Sequence, residues 1–366
     1  MPGTTTVPPR LQPGDPTGAD RPGAGQVLLS VLDTAPIWQG QTPADALRDS
    51  VALAIEADAL GLHRYWVAEH HNAPFIASCA PPVLVAAIAA RTTRIRVGSG
   101  GVMLPNHAPL VVAEQFGTLE ALHPGRIDLG VGRAPGTDLK TAKALHRRPG
   151  AEFEPLVEEL SDLLLRGERS EVMGDITGET VQAVPATKSR PTLWVLGASP
   201  GSGALAGRLG VPFAYAYHVR PDAAAESIAA YRQAFQPSAW STEPWAAVSA
   251  SATVAETAAE ADHLAGPLRV VVAELLRGKR NGPNLTADEA ASYRFDPREK
   301  LAVDQQLRSH LIGDVATVRD KVHALVATTG CQEILALTLI QDVRARAASY
   351  RLLNEAVRAV TAQAQQ

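Results

Sequence analysis

Cysteine is almost missing: Cys79 and Cys331 are the two in 366 residues, about 250 positions apart and with no CxxC spacing. That excludes a disulfide scaffold and a zinc ribbon, and it fits a reducing, cytoplasmic setting. Long apolar runs are missing too. Val83 to Ala90 is the longest obvious one at about eight residues, against the roughly 20 that cross a bilayer. Neither sign of charge dominates, because 34 Lys and Arg against 38 Asp and Glu leave a net charge of −4. A broad electrostatic footprint for nucleic acid or for an anionic membrane is therefore not expected. Residues 2–25 lack the apolar core of a secretory signal and hold six prolines and five glycines instead, so residues 1–25 read as a disordered tail.

What the chain has is ordinary globular composition, 46% hydrophobic and 20% charged, and a length that allows either several domains or one enlarged barrel. Strand-like apolar runs alternate with helical patterns. Val27–Leu32 reads as a strand, and Thr42-Pro43-Ala-Asp45 opens a helix with a hydroxyl cap, proline at the first helical position and an acid three residues on. Arg64–Ala68 is the second strand, followed by a helix entered through Pro81-Pro82 with Val83, Leu84 and Ile88 inward. Arg94–Val97, Arg126–Gly130, Thr192–Leu196, Phe213–Tyr217, Ala246–Val254 and Glu333–Thr338 continue the series, each followed by a helical pattern. Residues 168–188 read as a hairpin excursion, and 266–312 as an irregular stretch in the position of a lid. Buried, non-alternating strands separated by helices imply a parallel sheet. Eight such units close a (β/α)8 TIM barrel, so residues 26–366 are expected to form a single barrel domain with insertions.

In that fold the chemistry sits just after each strand. Strand two ends in Glu69-His70-His71-Asn72. Successive residues of an extended chain point to opposite sides and the HExxH spacing is absent, so no metal site is expected; one imidazole facing the mouth would serve as an acid/base group, with Glu69 orienting it or fixing the sheet. Strand three ends in Val97-Gly-Ser-Gly-Gly101, where glycines suggest a bulge or a backbone lying flat against something planar. Strand four ends in Gly130-Val-Gly-Arg133, and a guanidinium there suits a phosphate. Strand five ends in Gly197-Ala-Ser199-Pro-Gly-Ser202 and runs into a helix, offering small residues, two hydroxyls and a helix N-terminus to an anion.

These segments, with Ala113-Glu114-Gln115, Gly210-Val-Pro-Phe213 and Gly330-Cys-Gln-Glu-Ile-Leu, resemble the bacterial-luciferase-like family of flavin-dependent monooxygenases over residues 27–360. The resemblance implies a (β/α)8 barrel that binds reduced FMN from a separate NAD(P)H-dependent flavin reductase and reacts it with oxygen through a C4a-peroxyflavin. It implies His70 as the catalytic imidazole with Glu69 beside it, and Gly100 and Gly101 under the flavin ring, often joined by a non-prolyl cis peptide. It also implies Arg133, buried, with Ser199, Gly201 and Ser202 at the flavin phosphate, Glu114 as a carboxylate shaping the pocket, and a homodimer. Gly132 stands where the luciferase α-chain has a reactive cysteine, so thiol sensitivity is not expected. The substrate would be a small aldehyde, ketone or aromatic. Within the same resemblance stand two alternatives, hydride transfer with the deazaflavin F420 and a flavin-binding protein without turnover.

Overall fold

The computed structural model describes residues 25–145, 152–169, 181–278 and 282–364. Nine parallel strands are present among them: β1 Leu28–Asp33, β2 Arg64–Val67, β3 Arg96–Met103, β4 Ile127–Gly132, β5 Thr192–Gly197, β6 Phe213–Tyr215, β7 Ala246–Val254, β8 Leu311–Gly313 and β9 Glu333–Leu337. The order β6-β5-β4-β3-β2-β1-β9-β7, with β6 also paired to β7, closes an eight-stranded parallel barrel. The ninth strand, β8, lies outside it on the end of β7, pairing Ala252 with Leu311. Helices between the strands cover the outside, so the strands are buried on both faces, and the chain is a TIM barrel as its strand-helix alternation predicts.

Local signals explain the element ends. Thr42 caps the helix Pro43–Ala59 through a reciprocal pair with Asp45, the capping box. Gly210 and Gly330 end their helices with φ of 63° and 62°, a left-handed geometry that glycine adopts without steric cost. Val83 is 71% exposed, contrary to the expectation that it turns inward. On the helix Pro81–Ala89 the buried face is Pro81, Leu84, Val85 and Ile88, a spacing of three and four that leaves Val83 outside. β3 runs on through its glycines to Met103, and its register against β4 shifts between Gly100 and Val102, a bulge at the glycines.

Residues 266–312 are more regular than their sequence suggests. They form the helices Gly266–Leu276, Ala287–Ala291 and Pro297–Leu307 before β8. Thr286 and Asp296 cap the last two, and Leu268, Ala273, Val303 and Leu307 make a small core of their own. The expected hairpin at 168–188 is not seen where residues are described: the helix Phe153–Arg169 takes its start and 181–188 hold no strand. Residues 170–180, and residues 1–24 of the expected tail, lie outside the described residues.

The bottom of the lumen is sealed by charge. Arg64 on β2 reaches Asp128 on β4 at 2.8 Å and Glu333 on β9 at 2.7 Å, with its side chain 2% exposed. Arg96 holds the other oxygen of Asp128 at 2.6 Å, so two cations meet two anions. Burial pushes the Asp128 carboxyl up, but Arg64 and Arg96 pull it down to about 2. Trp66 and Trp194 lie above this network and Trp245 packs beside it, with the Arg64 guanidinium 4.7 Å from the Trp194 ring and 5.0 Å from Trp245. Removing one partner of such a network strands a buried charge, at about 3–5 kcal/mol. Arg64→Met should therefore lower unfolding stability by about that amount in urea titration; a loss below about 1 kcal/mol would contradict the seal.

Candidate active site

With its lower end sealed, the lumen opens upward into a cavity of about 900 Å³ whose floor includes Leu32, Trp66, Ala214 and Leu335. Its walls are the carboxyl ends of the strands, where the barrel rule places chemistry. His70, Gly100, Arg133, Ser199, Gly201 and Ser202 all line it. Gly101 is next to the lining, and the Gly100–Gly101 peptide is cis, the geometry the resemblance implies there. A Cβ on Gly100 would lie 2.7 Å from Leu32 Cδ1 and one on Gly101 2.7 Å from the Gly130 carbonyl oxygen, so packing alone already requires both glycines.

Ser199 and Ser202 cap the helix Pro200–Leu209 reciprocally: Ser199 N–H donates to Ser202 Oγ at 3.2 Å and Ser202 N–H to Ser199 Oγ at 3.3 Å. The helix therefore begins at the cavity wall, with its N-terminal dipole beside the open volume. Arg133 reaches the same cavity from β4, but its side chain is exposed rather than buried, because it stands on the loop after the strand. Arg208 and Arg220 add two further guanidinium groups to the lining. Glu114 does not join it. That residue is half-buried on the outer helix Pro109–Leu122 and lies outside the cavity wall.

Glu69 turns away from the role of orienting His70. Fully buried, it accepts hydrogen bonds from His71 Nε2 and His107 Nε2, each at 2.8 Å to Oε1, and from the Met103 N–H at 3.1 Å to Oε2. Alternation along the extended segment explains this: Glu69 and His71 share one side, while His70 faces the cavity. The ligand atoms of Glu69, His71 and His107 lie within 4.8 Å of one another, and the hydrogen bonds account for the grouping. Burial pushes the Glu69 carboxyl up, but the bonds from His107 and His71, the His107 charge and the Met103 N–H outweigh it and hold the group below its ordinary value. Further bonds fasten the loops together: His71 N–H to the Gly136 carbonyl at 3.0 Å, and Thr137 Oγ1 to the His71 carbonyl at 2.8 Å.

Sequence reasoning missed His218, Arg208, Arg220 and Ser249, all in the lining. Looking just past β6 would have found His218, which stands three residues beyond Tyr215; Arg208, on a helix, had no such signal.

Comparison with known proteins agrees with the fold. The sequence profile of the luciferase-like monooxygenase family matches residues 27–333. A luciferase-like monooxygenase of Escherichia coli K12 is 39% identical, covering 89% of this chain and 96% of that protein. The N-acetyl-S-alkylcysteine monooxygenase of Bacillus subtilis is 34% identical, covering 90% and 98%. The crystal structure of apo-MsnO8 superposes with a TM-score of 0.78 at 37% identity, covering 91% of this chain and 98% of that one.

Because the folded Glu69 carboxyl sits below its ordinary 4.5, its contribution to stability is complete above that value and is lost as pH falls through the folded value. Glu69→Gln should cost about 2–3 kcal/mol at neutral pH, the scale of hydrogen bonds to a buried charge. In urea unfolding at several pH values, the gap from wild type should stay constant above about pH 6 and close on acidification below 4.5. A gap that widened in acid would contradict the clamp.

Proposed function

The chain belongs to the luciferase-like monooxygenase family, and from that premise we propose that it is the oxygenating component of a two-component system, using reduced FMN from a separate reductase to oxygenate a small organic molecule. The observation that carries the reading is the composition of the wall of this cavity. One side offers a helix N-terminus with two cap hydroxyls and the Arg133 guanidinium, a donor set for a phosphate dianion, while Arg208, in the last turn of the same helix, is held by Glu154 at 2.7 Å. Beside it lie the apolar Trp66, Met103 and Leu196, a surface for a planar ring. These residues fit FMN.

Bound reduced FMN supplies the oxygen activation; the chain supplies position, shielding and protons. Arg133, Ser199, Gly201 and Ser202 would hold the phosphate. Gly100 and Gly101 would meet the ring with bare backbone. His70, half-buried and facing the cavity, would be the imidazole that takes part in proton transfer. Glu69 serves it at one remove, by fixing the His71 and His107 loops around it. The substrate class is an aldehyde, ketone, aromatic or, by analogy with the Bacillus subtilis relative that oxygenates N-acetyl-S-alkylcysteine, a thioether.

Arg133→Ala should weaken FMN binding by about 10-fold or more, the scale of a lost charge-assisted bond, as read by quenching of flavin fluorescence. Unchanged affinity would remove Arg133 from the phosphate site. His70→Ala should leave FMN affinity within about twofold and slow oxygenation by about 100-fold, the usual worth of a general acid/base. Oxygen consumption that depends on reductase-supplied reduced FMN and a substrate is the expected behaviour. Tight binding of reduced F420 with no such consumption would point to hydride transfer instead, and flavin binding with no turnover of either kind to a binding protein.

A further inference from the structure

The half of the cavity wall that the flavin reading does not use has its own polar feature. In the circular strand order β1-β2-β3-β4-β5-β6-β7-β9, β6 stands opposite β2. His218, just past β6, therefore faces the lumen across from His70, which stands just past β2; both line the cavity. The phosphate donors and the cis glycine pair lie on β3, β4 and β5, between the two histidines. Across the remaining arc, β7, β9 and β1 contribute Ser249, Leu335, Leu337, Leu32 and Thr34, a mostly apolar surface.

The tautomer of His218 follows from its partners. Its Nδ1 lies 3.1 Å from the Ser249 carbonyl oxygen and 2.9 Å from Ser249 Oγ. A carbonyl oxygen only accepts, so Nδ1 carries the proton. Ser249 Oγ donates its own proton to the Tyr215 carbonyl at 3.3 Å, which leaves that oxygen free to accept from Nδ1 as well. The His218 N–H also bonds to the Ser249 carbonyl at 2.8 Å, so backbone and ring are held by one residue. Nε2 then bears a lone pair, and among the described residues no protein group meets it.

We propose that His218 Nε2 is the acceptor that receives a hydroxyl group of the substrate, selecting an otherwise apolar molecule, such as a phenol, that carries one O–H donor. The proposal rests on the flavin occupying the β3–β5 side of the cavity. Burial keeps the imidazole below its ordinary value, and the adjoining His310 is likewise drawn down, to about 4, by burial, by His218 and by Lys321. Neither ring then carries a proton on its acceptor nitrogen at neutral pH. On this mostly aliphatic arc a fixed imidazole acceptor disfavours a ligand lacking the donor, because the acceptor would be desolvated without a partner.

The probes are 4-nitrophenol and its methyl ether 4-nitroanisole, alike in shape but differing in the O–H, used at about pH 6 so that the phenol keeps its proton. Calorimetric titration of the full chain, with and without saturating FMN, should show 4-nitrophenol binding about 3- to 10-fold more tightly, the range of one neutral hydrogen bond. His218→Asn keeps a donor towards Ser249 and lacks Nε2; it should bring the ratio close to one while leaving 4-nitroanisole affinity within about twofold. His218→Phe should behave alike if the Asn variant is poorly folded. A nitrogen-15 spectrum of the wild-type imidazole should show protonated Nδ1 and bare Nε2, with Nε2 shifting on addition of 4-nitrophenol. Equal affinities in wild type, no measurable binding of 4-nitrophenol, a ratio that survives both substitutions, or a protonated Nε2 would each overturn the proposal. FMN affinity, measured separately, distinguishes this failure from that of the flavin reading: loss of the phenol preference with FMN binding intact refutes only the role of His218.

Discussion

Arg64 inside the barrel is the contact on which the site depends. Its guanidinium bridges Asp128 and Glu333 across the lumen and lies against the Trp194 ring above it. A buried ion network of this kind adds little net stability over a well-packed apolar one. Its consequence is geometric. The network and the tryptophan layer fill the lower lumen, and the open volume is confined to the upper end, where every strand presents its carboxyl end. A second buried pair, Arg346 to Asp33 at 2.9 Å, with Tyr65 also donating to Asp33, ties the C-terminal helix to β1 and steadies the same ring of strands.

The mouth is then shaped by small residues and one carboxylate. Gly98 and Gly130 let β3 and β4 approach so closely that a Cβ at either would lie 2.3 Å from a backbone oxygen of the other strand. Glu69 gathers the loops after β2 and β3 through His71, His107 and the Met103 N–H, leaving His70 to face the cavity. Two imidazoles thus look inward from opposite strands. One lies on the side of the cavity that we propose for the flavin, and the other is held through Nδ1 by the carbonyl and hydroxyl oxygens of Ser249.

Much of this was legible in the chain itself. The eight barrel strands follow from apolar runs that do not alternate, and the helix starts at Thr42 and Ser199 from hydroxyl groups before a helical pattern. Residues at strand ends could be named because the fold dictates where chemistry lies. Partnerships could not. Glu69 and His107 are 38 positions apart, and nothing in spacing distinguishes His107 from His70 as the partner of Glu69. Arg133 was expected buried because a phosphate site suggests enclosure, whereas its loop position exposes it. The helices within 266–312 were hidden because their core of Leu268, Ala273, Val303 and Leu307 is assembled from two segments about 30 residues apart. His218 stands directly after the apolar run Phe213–Tyr217, a strand-end position, but nothing in spacing names Ser249 as its partner.

The account makes one cavity serve two ligands, with a cationic, hydroxyl-bearing side for a phosphate and ring and an apolar side with a single imidazole acceptor for the substrate. A crystal structure of the protein with FMN bound tests this most directly. The account predicts the phosphate at the N-terminus of the helix Pro200–Leu209 beside Arg133, the ring against Gly100 and Gly101, and free volume before His218. FMN bound elsewhere, for example in the cleft of about 440 Å³ lined by Asp262, Arg269 and Tyr293, or a ring stacked on His218 with the Ser199 helix bare, would contradict it.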